Sequence, residues 1–309
     1  MSVFITAFRA FGSQVNIWLD TATPAADGAP VLRQVPGWLA DIEAALSRFR
    51  PDSELSRLNR RPREWADASE TMLSSLDAAL RAARITGGRV TPLVLRALVA
   101  AGYDRSFEEV ARAGEAGDHA TPVPASRWEA IQLDRAAGRV WLPDAIDLGG
   151  TAKGWAAQQI AQRLAAHGPA LVDLGGDIVA QGKPWTVHVF DPFQPETPFA
   201  VVALHDRAIA TSGTDYRRWG ADRHHIIDPH TGAPARTDVV SATVIHPDAV
   251  LAEALAKAVV LQGSIAGLDW LAQHERAAGL VFDRTGRVLA TENFQAYLTQ
   301  TQTHTQKGA

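Results

Sequence analysis

The 309-residue chain contains no cysteine. That excludes disulfides, thiolate nucleophiles, zinc–thiolate centres and a lipid anchor on a cysteine near the N-terminus. Long apolar runs are missing too: no stretch approaches the roughly 18 residues that span a bilayer. The N-terminus, Met1-Ser-Val-Phe-Ile-Thr-Ala-Phe-Arg9, has no basic start and only a short apolar run, so no secretory signal is expected. The expectation is a cytoplasmic protein with no membrane partner. Excess positive charge is also absent: a formal net charge of −4 gives no reason to expect nucleic acid. None of the ten histidines falls in a His-Glu-x-x-His or other paired spacing of zinc sites.

What is present describes a globular chain, with 46% hydrophobic and 21% charged residues and length for one large domain or two lobes sharing a core. Phe4 to Leu19 alternates about Phe11-Gly-Ser13 and reads as strands, followed by an Ala-, Pro- and Gly-rich loop over Ala22 to Pro30. Val35, Leu39, Ile42, Leu46 and Phe49 share one helical face, and this helix is expected to end at Arg50-Pro51. Asp52 to Asn59 fits a turn of helix. Ser69 is a candidate N-cap for a helix that stops at Thr86-Gly-Gly88, and Pro92 to Ala101 predicts another. Ala113 to Ser126 reads as loop. From Trp128 onward short strands dominate, interrupted by helices from Trp155 to Ala166 and from Pro247 to Gly263. A hairpin of Leu280–Phe282 and Arg287–Ala290 closes the fold. The pattern predicts an α+β protein over residues 1–298, with a helix-rich lobe over roughly 30–125, a strand-rich remainder and a flexible tail over 299–309.

The middle of the chain carries Asp147-Leu-Gly-Gly-Thr-Ala-Lys-Gly154, which reads as a glycine turn between an apolar strand and a helix N-terminus. Adjacent glycines let backbone approach a ligand, and free N–H groups at a helix start bind anions. A tight turn with a solvated lysine explains the same residues equally well. Three similar turns follow: Asp173-Leu-Gly-Gly-Asp177, Thr211-Ser-Gly213 and His224-His-Ile-Ile-Asp-Pro-His-Thr-Gly232. In the last, His225 is a candidate general base near Asp228, against the alternative of a part-buried histidine bonded to a carbonyl. His224 and His230 read as surface or supporting residues. Glu253 and Lys257 stand four apart on the late helix; they fit a solvated ion pair, which local sequence favours, or two ligand-facing charges.

Together these segments resemble the ApbE family, the FAD:protein FMN transferases. The resemblance is carried in order by Phe11-Gly-Ser13, Ser47-Arg-Phe-Arg-Pro-Asp-Ser-Glu-Leu-Ser-Arg-Leu-Asn59, Thr86-Gly-Gly88, Asp147 to Gly154, Asp173 to Asp177, Thr211-Ser-Gly213, His225-Ile-Ile-Asp-Pro229 and Glu253 to Lys257. It implies an α+β fold with FAD between two lobes. The implied reaction is attack by a threonine or serine hydroxyl of a target protein on the FMN-side phosphate of FAD, releasing AMP, with Mg²⁺ assisting. By position, Phe49 falls against the isoalloxazine; Asp147 and Lys153 fall at flavin or adenine-side contacts. Phe11, Arg89, Val90, Thr91 and Asp228 join them as implied cofactor contacts, and Thr211, Ser212 and Gly213 line the pyrophosphate side. Gly150 would offer a carbonyl to the metal, and His225 would assist the incoming hydroxyl or the phosphate.

The chain departs from the family at three places. Thr91 stands where an aspartate commonly precedes proline, and Phe11 where methionine is common. The family often places an aspartate and a threonine, four apart, as metal ligands on the late helix; here they are Glu253 and Lys257. A protonated lysine cannot ligate Mg²⁺. The expectation is therefore that Glu253 is the metal ligand left and that Lys257 turns positive charge toward the pyrophosphate, weakening or replacing a metal. Two other readings stay open: an FAD pyrophosphatase, in which water replaces the hydroxyl, and a non-catalytic FAD-binding or storage protein. Thr231-Gly-Ala233 resembles a flavin-acceptor sequence but sits where a structural turn is expected.

Overall fold

The computed structural model describes residues 2–21, 28–113, 124–125, 127–219 and 223–301. The expected loop over Ala113 to Ser126 lies almost wholly outside these residues, as does the tail beyond residue 301.

Eight strands build one sheet, its inner members such as Ala278–Asp283 buried on both faces. Its members are β1 (Ser2–Ala10), β2 (Ser13–Thr21), β3 (Ala170–Leu174), β4 (Asp177–Gln181), β7 (Arg207–Gly213), β8 (Val239–His246), β9 (Ala278–Asp283) and β10 (Val288–Ala290). They lie side by side in chain order, and each neighbouring pair is antiparallel. The intervening strands β5 (Trp185–Asp191) and β6 (Gln194–Leu204) join the C-terminal β11 (Leu298–Thr301) in a second sheet. Residues 298–301 are therefore paired strand where the sequence suggested a frayed end: their backbone groups complete the open edge of β6.

Four helices of twelve residues or more pack on the other face or near it: α1 (Val35–Leu46), α2 (Glu70–Ile85), α3 (Ala152–Leu164) and α4 (Ala249–Gln262). Ser69 caps α2 by accepting the Met72 N–H at 3.2 Å, and Asp248 caps α4 by accepting the Leu251 N–H at 3.0 Å. One continuous core joins Leu39 of α1 and Leu76 of α2 to Val172, Ala210 and Val259. A separate apolar layer, with Val187, Val202, Ile209 and Phe282, fills the space between the two sheets. Helices and strands share a core, so the fold class is α+β.

Several boundaries differ from the sequence reading. Helix α1 ends at Leu46, not at Arg50-Pro51, because Ser47 turns to extended backbone and its hydroxyl accepts the Phe49 N–H at 3.3 Å. That turn removes Arg48 and Phe49 from the helix. Residues Gly28–Leu32 form a short helix that overlaps the end of the expected loop, and Phe107–Ala113 form one that no strong apolar period announced. Helix α3 starts at Ala152, not Trp155, since the Thr151 and Ala152 N–H groups already turn back to the Leu148 carbonyl. No helix among the described residues is long and apolar enough to cross a membrane.

Candidate active site

The site begins where α3 meets α4. Gly154 permits the approach: a Cβ there would lie 2.5 Å from the Ala249 carbonyl oxygen and 3.2 Å from Glu253 Oε2. The bare backbone instead donates its N–H to Glu253 Oε2 at 2.9 Å. This corrects the expectation of an open anion-binding helix start. The Gly154 N–H belongs to a carboxylate of the same chain, and the Gly149 N–H is taken by Asp147 Oδ1 at 2.8 Å.

Glu253 is fully buried. Its Oε1 accepts from Lys257 Nζ at 2.9 Å and lies 3.7 Å from Lys153 Nζ. Lys153 in turn forms a close ion pair with Asp177 of β4. Two carboxylates and two ammonium groups thus alternate along one buried row, Asp177–Lys153–Glu253–Lys257. The solvated pair that local sequence favoured at 253 and 257 is not what forms: the Lys257 side chain keeps 13% of its exposure and Glu253 none. Burial, and then the nearby Glu253 charge, pushes the Asp177 carboxyl up to about 6 despite Lys153. Burial alone would also raise Glu253, but Lys257, Lys153 and the Gly154 N–H outweigh it and hold that carboxyl below its ordinary range. For Lys153 burial favours the neutral amine, while Asp177 and Glu253 prevail and keep its pKa raised.

Lys257 borders a small cavity of about 90 Å³ together with Asp147, Gly150, Arg217 and His225. Arg48, Phe49, Tyr103, Asp147, Gly149 and Arg217 also border an adjoining cavity of about 220 Å³, which reaches Phe11 and Lys153. The two form one cleft divided by aromatic and guanidinium groups. The Arg48 guanidinium lies 4.1 Å from the Phe49 ring centroid and 4.6 Å from that of Tyr103. Its Nε is 2.6 Å from Asp147 Oδ2, and its buried Nη2 has no hydrogen-bond partner among the described residues. Phe49 remains 44% exposed, a large apolar ring left facing the cleft.

His225 closes the other side. Its backbone N–H donates to the Arg217 carbonyl at 3.3 Å, and its buried Nδ1 has no hydrogen-bond partner among the described residues. Burial and, after it, the charges of Arg217 and Lys257 drive its pKa well below the ordinary imidazole value. The ring is neutral at physiological pH and can accept a proton. Its neighbour His224 is buried rather than at the surface: Nε2 lies 3.0 Å from the Ala235 carbonyl oxygen, and Nδ1 accepts the Ile226 N–H. His224 borders a wider groove of about 1190 Å³ with Arg218 and Arg236. That groove contains neither His225, Lys257 nor Asp147. Volume alone does not mark the chemistry here.

The structure brings many of the sequence-selected residues together. Phe11, Phe49, Arg89, Val90, Thr91, Asp147, Gly150, Lys153, His225 and Lys257 border one or both cavities. Phe11 has a left-handed backbone (φ 54°), and its N–H donates to Glu43 Oε1. Thr91 caps the following turn by accepting the Leu93 N–H at 3.2 Å. Other selected residues lie outside the cleft. Thr211 shares the strand face of Ile209, toward the second sheet, and its hydroxyl is 2.9 Å from that of Thr243. Ser212 is buried on the helix side of β7, and Gly213 ends that strand against the Val240 carbonyl. Asp228 accepts the His230 N–H at 2.9 Å within its own turn.

Arg48, Tyr103, Asp177 and Arg217 were given no role in the sequence reading. Arg48 and Asp177 lay inside segments that carried the resemblance, so a signal existed for both. Nothing local marks Tyr103 or Arg217.

The Mg²⁺ that the resemblance implies does not fit the donors present. Both Glu253 oxygens hold N–H groups, two ammonium groups flank that carboxylate, and Asp177 is engaged by Lys153. Among the described residues no three His, Asp or Glu side chains converge.

Comparison with known proteins places this geometry. The ApbE family model matches residues 11–282. The chain is 33% identical over 291 residues to the FAD:protein FMN transferase of Treponema pallidum, covering 82% of this chain and 76% of that protein. It is 27% identical over 320 residues to the FAD:protein FMN transferase of Haemophilus influenzae, covering 96% and 90%. Among solved structures, the ApbE protein of Thermotoga maritima superposes with a TM-score of 0.81 at 27% identity, covering 97% of this chain and all of that one. The flavin transferase ApbE from Vibrio cholerae gives the same TM-score at 24% identity, over 96% and 99%, and supports the fold.

Proposed function

This chain belongs to the ApbE family, and from that premise we propose that it transfers FMN from FAD to a hydroxyl group of a target protein. The observation that carries the reading is the cleft bordered by both His225, whose buried ring Nδ1 has no hydrogen-bond partner among the described residues, and Lys257.

The chemistry follows from those groups. An acceptor threonine or serine hydroxyl gives its proton to His225 while its oxygen bonds to the FMN-side phosphorus. The bond from that phosphorus to the bridging oxygen breaks, and AMP leaves with the electron pair. Lys257 and Arg217 supply positive charge where phosphate oxygens gather negative charge. Phe49, half exposed at the cleft, offers a ring for the flavin to stack on. Asp147, held by Arg48 and by the Gly149 N–H, offers a fixed acceptor beside it.

Purified protein given FAD and a domain bearing an acceptor hydroxyl should yield covalent flavin on the acceptor and AMP in equal amounts, detected by mass spectrometry and chromatography. His225→Ala should slow transfer by about 10²- to 10⁴-fold, the usual share of a positioned base. Because the imidazole pKa is depressed, the wild-type rate should stay level from pH 8 down to pH 6, where an ordinary histidine would already protonate. FMN and AMP with no covalent product would establish hydrolysis in place of transfer. Bound FAD with no turnover would establish a carrier.

A further inference from the structure

We propose that this protein handles FAD without a divalent cation, because the Lys257 ammonium, held in place by Glu253, takes up the pyrophosphate charge itself. The proposal rests on the FMN-transferase reading and narrows it to a metal-free form.

Three observations carry it. First, Glu253 has no free oxygen: Oε2 holds the Gly154 N–H at 2.9 Å, and Oε1 holds Lys257 at 2.9 Å with Lys153 at 3.7 Å. A metal ion bound there would have to displace Lys257 or the Gly154 N–H and then sit near the Lys153 ammonium, a like charge. Second, the row is already neutral, with Asp177 and Glu253 matched by Lys153 and Lys257. The two carboxylates therefore leave no unpaired negative charge of the protein to hold a dication in the buried region. Third, Lys257 spends one of three N–H donors on Glu253, and the residue borders the same cavity as His225 and Gly150. The remaining donors suit phosphate oxygens, and Arg217 on the cavity wall adds a second cation. Lys257 acts through charge and hydrogen bonds alone; no bond to its nitrogen forms or breaks.

FAD binding, followed by flavin fluorescence and calorimetry, should be equally tight in EDTA and in Mg²⁺, and Mg²⁺ should leave the melting temperature unchanged. Lys257→Met should weaken FAD by about tenfold or more, while affinity for riboflavin, which has no phosphate, stays the same. Lys257→Arg should retain most of the FAD affinity. Since Lys257→Met strands a buried carboxylate, the neutral double variant Glu253→Gln/Lys257→Met serves as the folding-safe version and should show the same FAD-selective loss. A wild type that binds or transfers flavin only with Mg²⁺ would overturn the proposal and leave the transferase reading intact. So would FAD affinity indifferent to Lys257. Metal-free, Lys257-dependent FAD binding with neither transfer nor AMP would uphold it while removing the transferase reading. No FAD binding in either buffer would overturn both.

Discussion

The two faces of the eight-stranded sheet are built from the same strands and do opposite things. On β4, Asp177 and Val179 point to the helices, while Ile178 and Ala180 point to the second sheet. The sheet-covered face is mostly apolar: Phe282 is almost fully buried and meets Phe199 edge-on, with ring centroids 5.1 Å apart. The helix-covered face carries the four-membered charge row at its edge. A second sheet offers only alternating side chains, whereas a helix also brings backbone N–H groups at its first turn and long cationic arms. The charged face is thus where ligand chemistry can be built, and the apolar face supplies stability without it.

The sharpest test of this division removes one member from each face. Glu253→Ala should destabilise the fold by about 3–5 kcal/mol, the usual cost of orphaning buried charge, and should abolish FAD binding as well. Phe282→Ala should cost a similar ~3–5 kcal/mol by opening a cavity, yet leave FAD affinity unchanged in the folded fraction. Urea denaturation and fluorescence titration together read both. If Phe282→Ala weakened FAD as strongly as Glu253→Ala, the two faces would not be separable.

A smaller effect concerns pH. Asp177 titrates near 6 in the folded protein and at 3.8 when unfolded. Between about pH 4 and pH 6 the native state keeps a proton that the unfolded chain has lost. The Asp177 contribution is therefore fully present below pH 4 and declines as pH rises to 6. Relative to wild type, Asp177→Asn should gain about 1–3 kcal/mol across that window, measured by denaturation at pH 4, 5, 6 and 7. A flat difference would mean that Lys153 keeps Asp177 ionised throughout.

Much of this molecule was legible from its residues. Ser69 as a cap, the Phe11-Gly-Ser13 turn between paired strands and the stop at Gly263 are each dictated by local backbone preference, and each appears where expected. Phe49, Asp147, Gly150, His225 and Lys257, singled out by an ordered set of motifs, border one cavity. The end of α1 is not legible locally, because Phe49 continues an apolar helical period that a single serine turn breaks.

The sequence by itself determined most helices and strands, because dihedral preference and apolar period act over a few neighbours, and its ordered motifs determined the family and several cleft-lining residues. Only the tertiary structure decided that Glu253 and Lys257 are buried, since desolvation depends on the cover that α3 and β4 provide. It alone joined Arg48 to Asp147, 2.6 Å apart across about a hundred residues of chain, and set Arg217 beside His225. Those meetings are products of packing, and they govern the charge and protonation of the site.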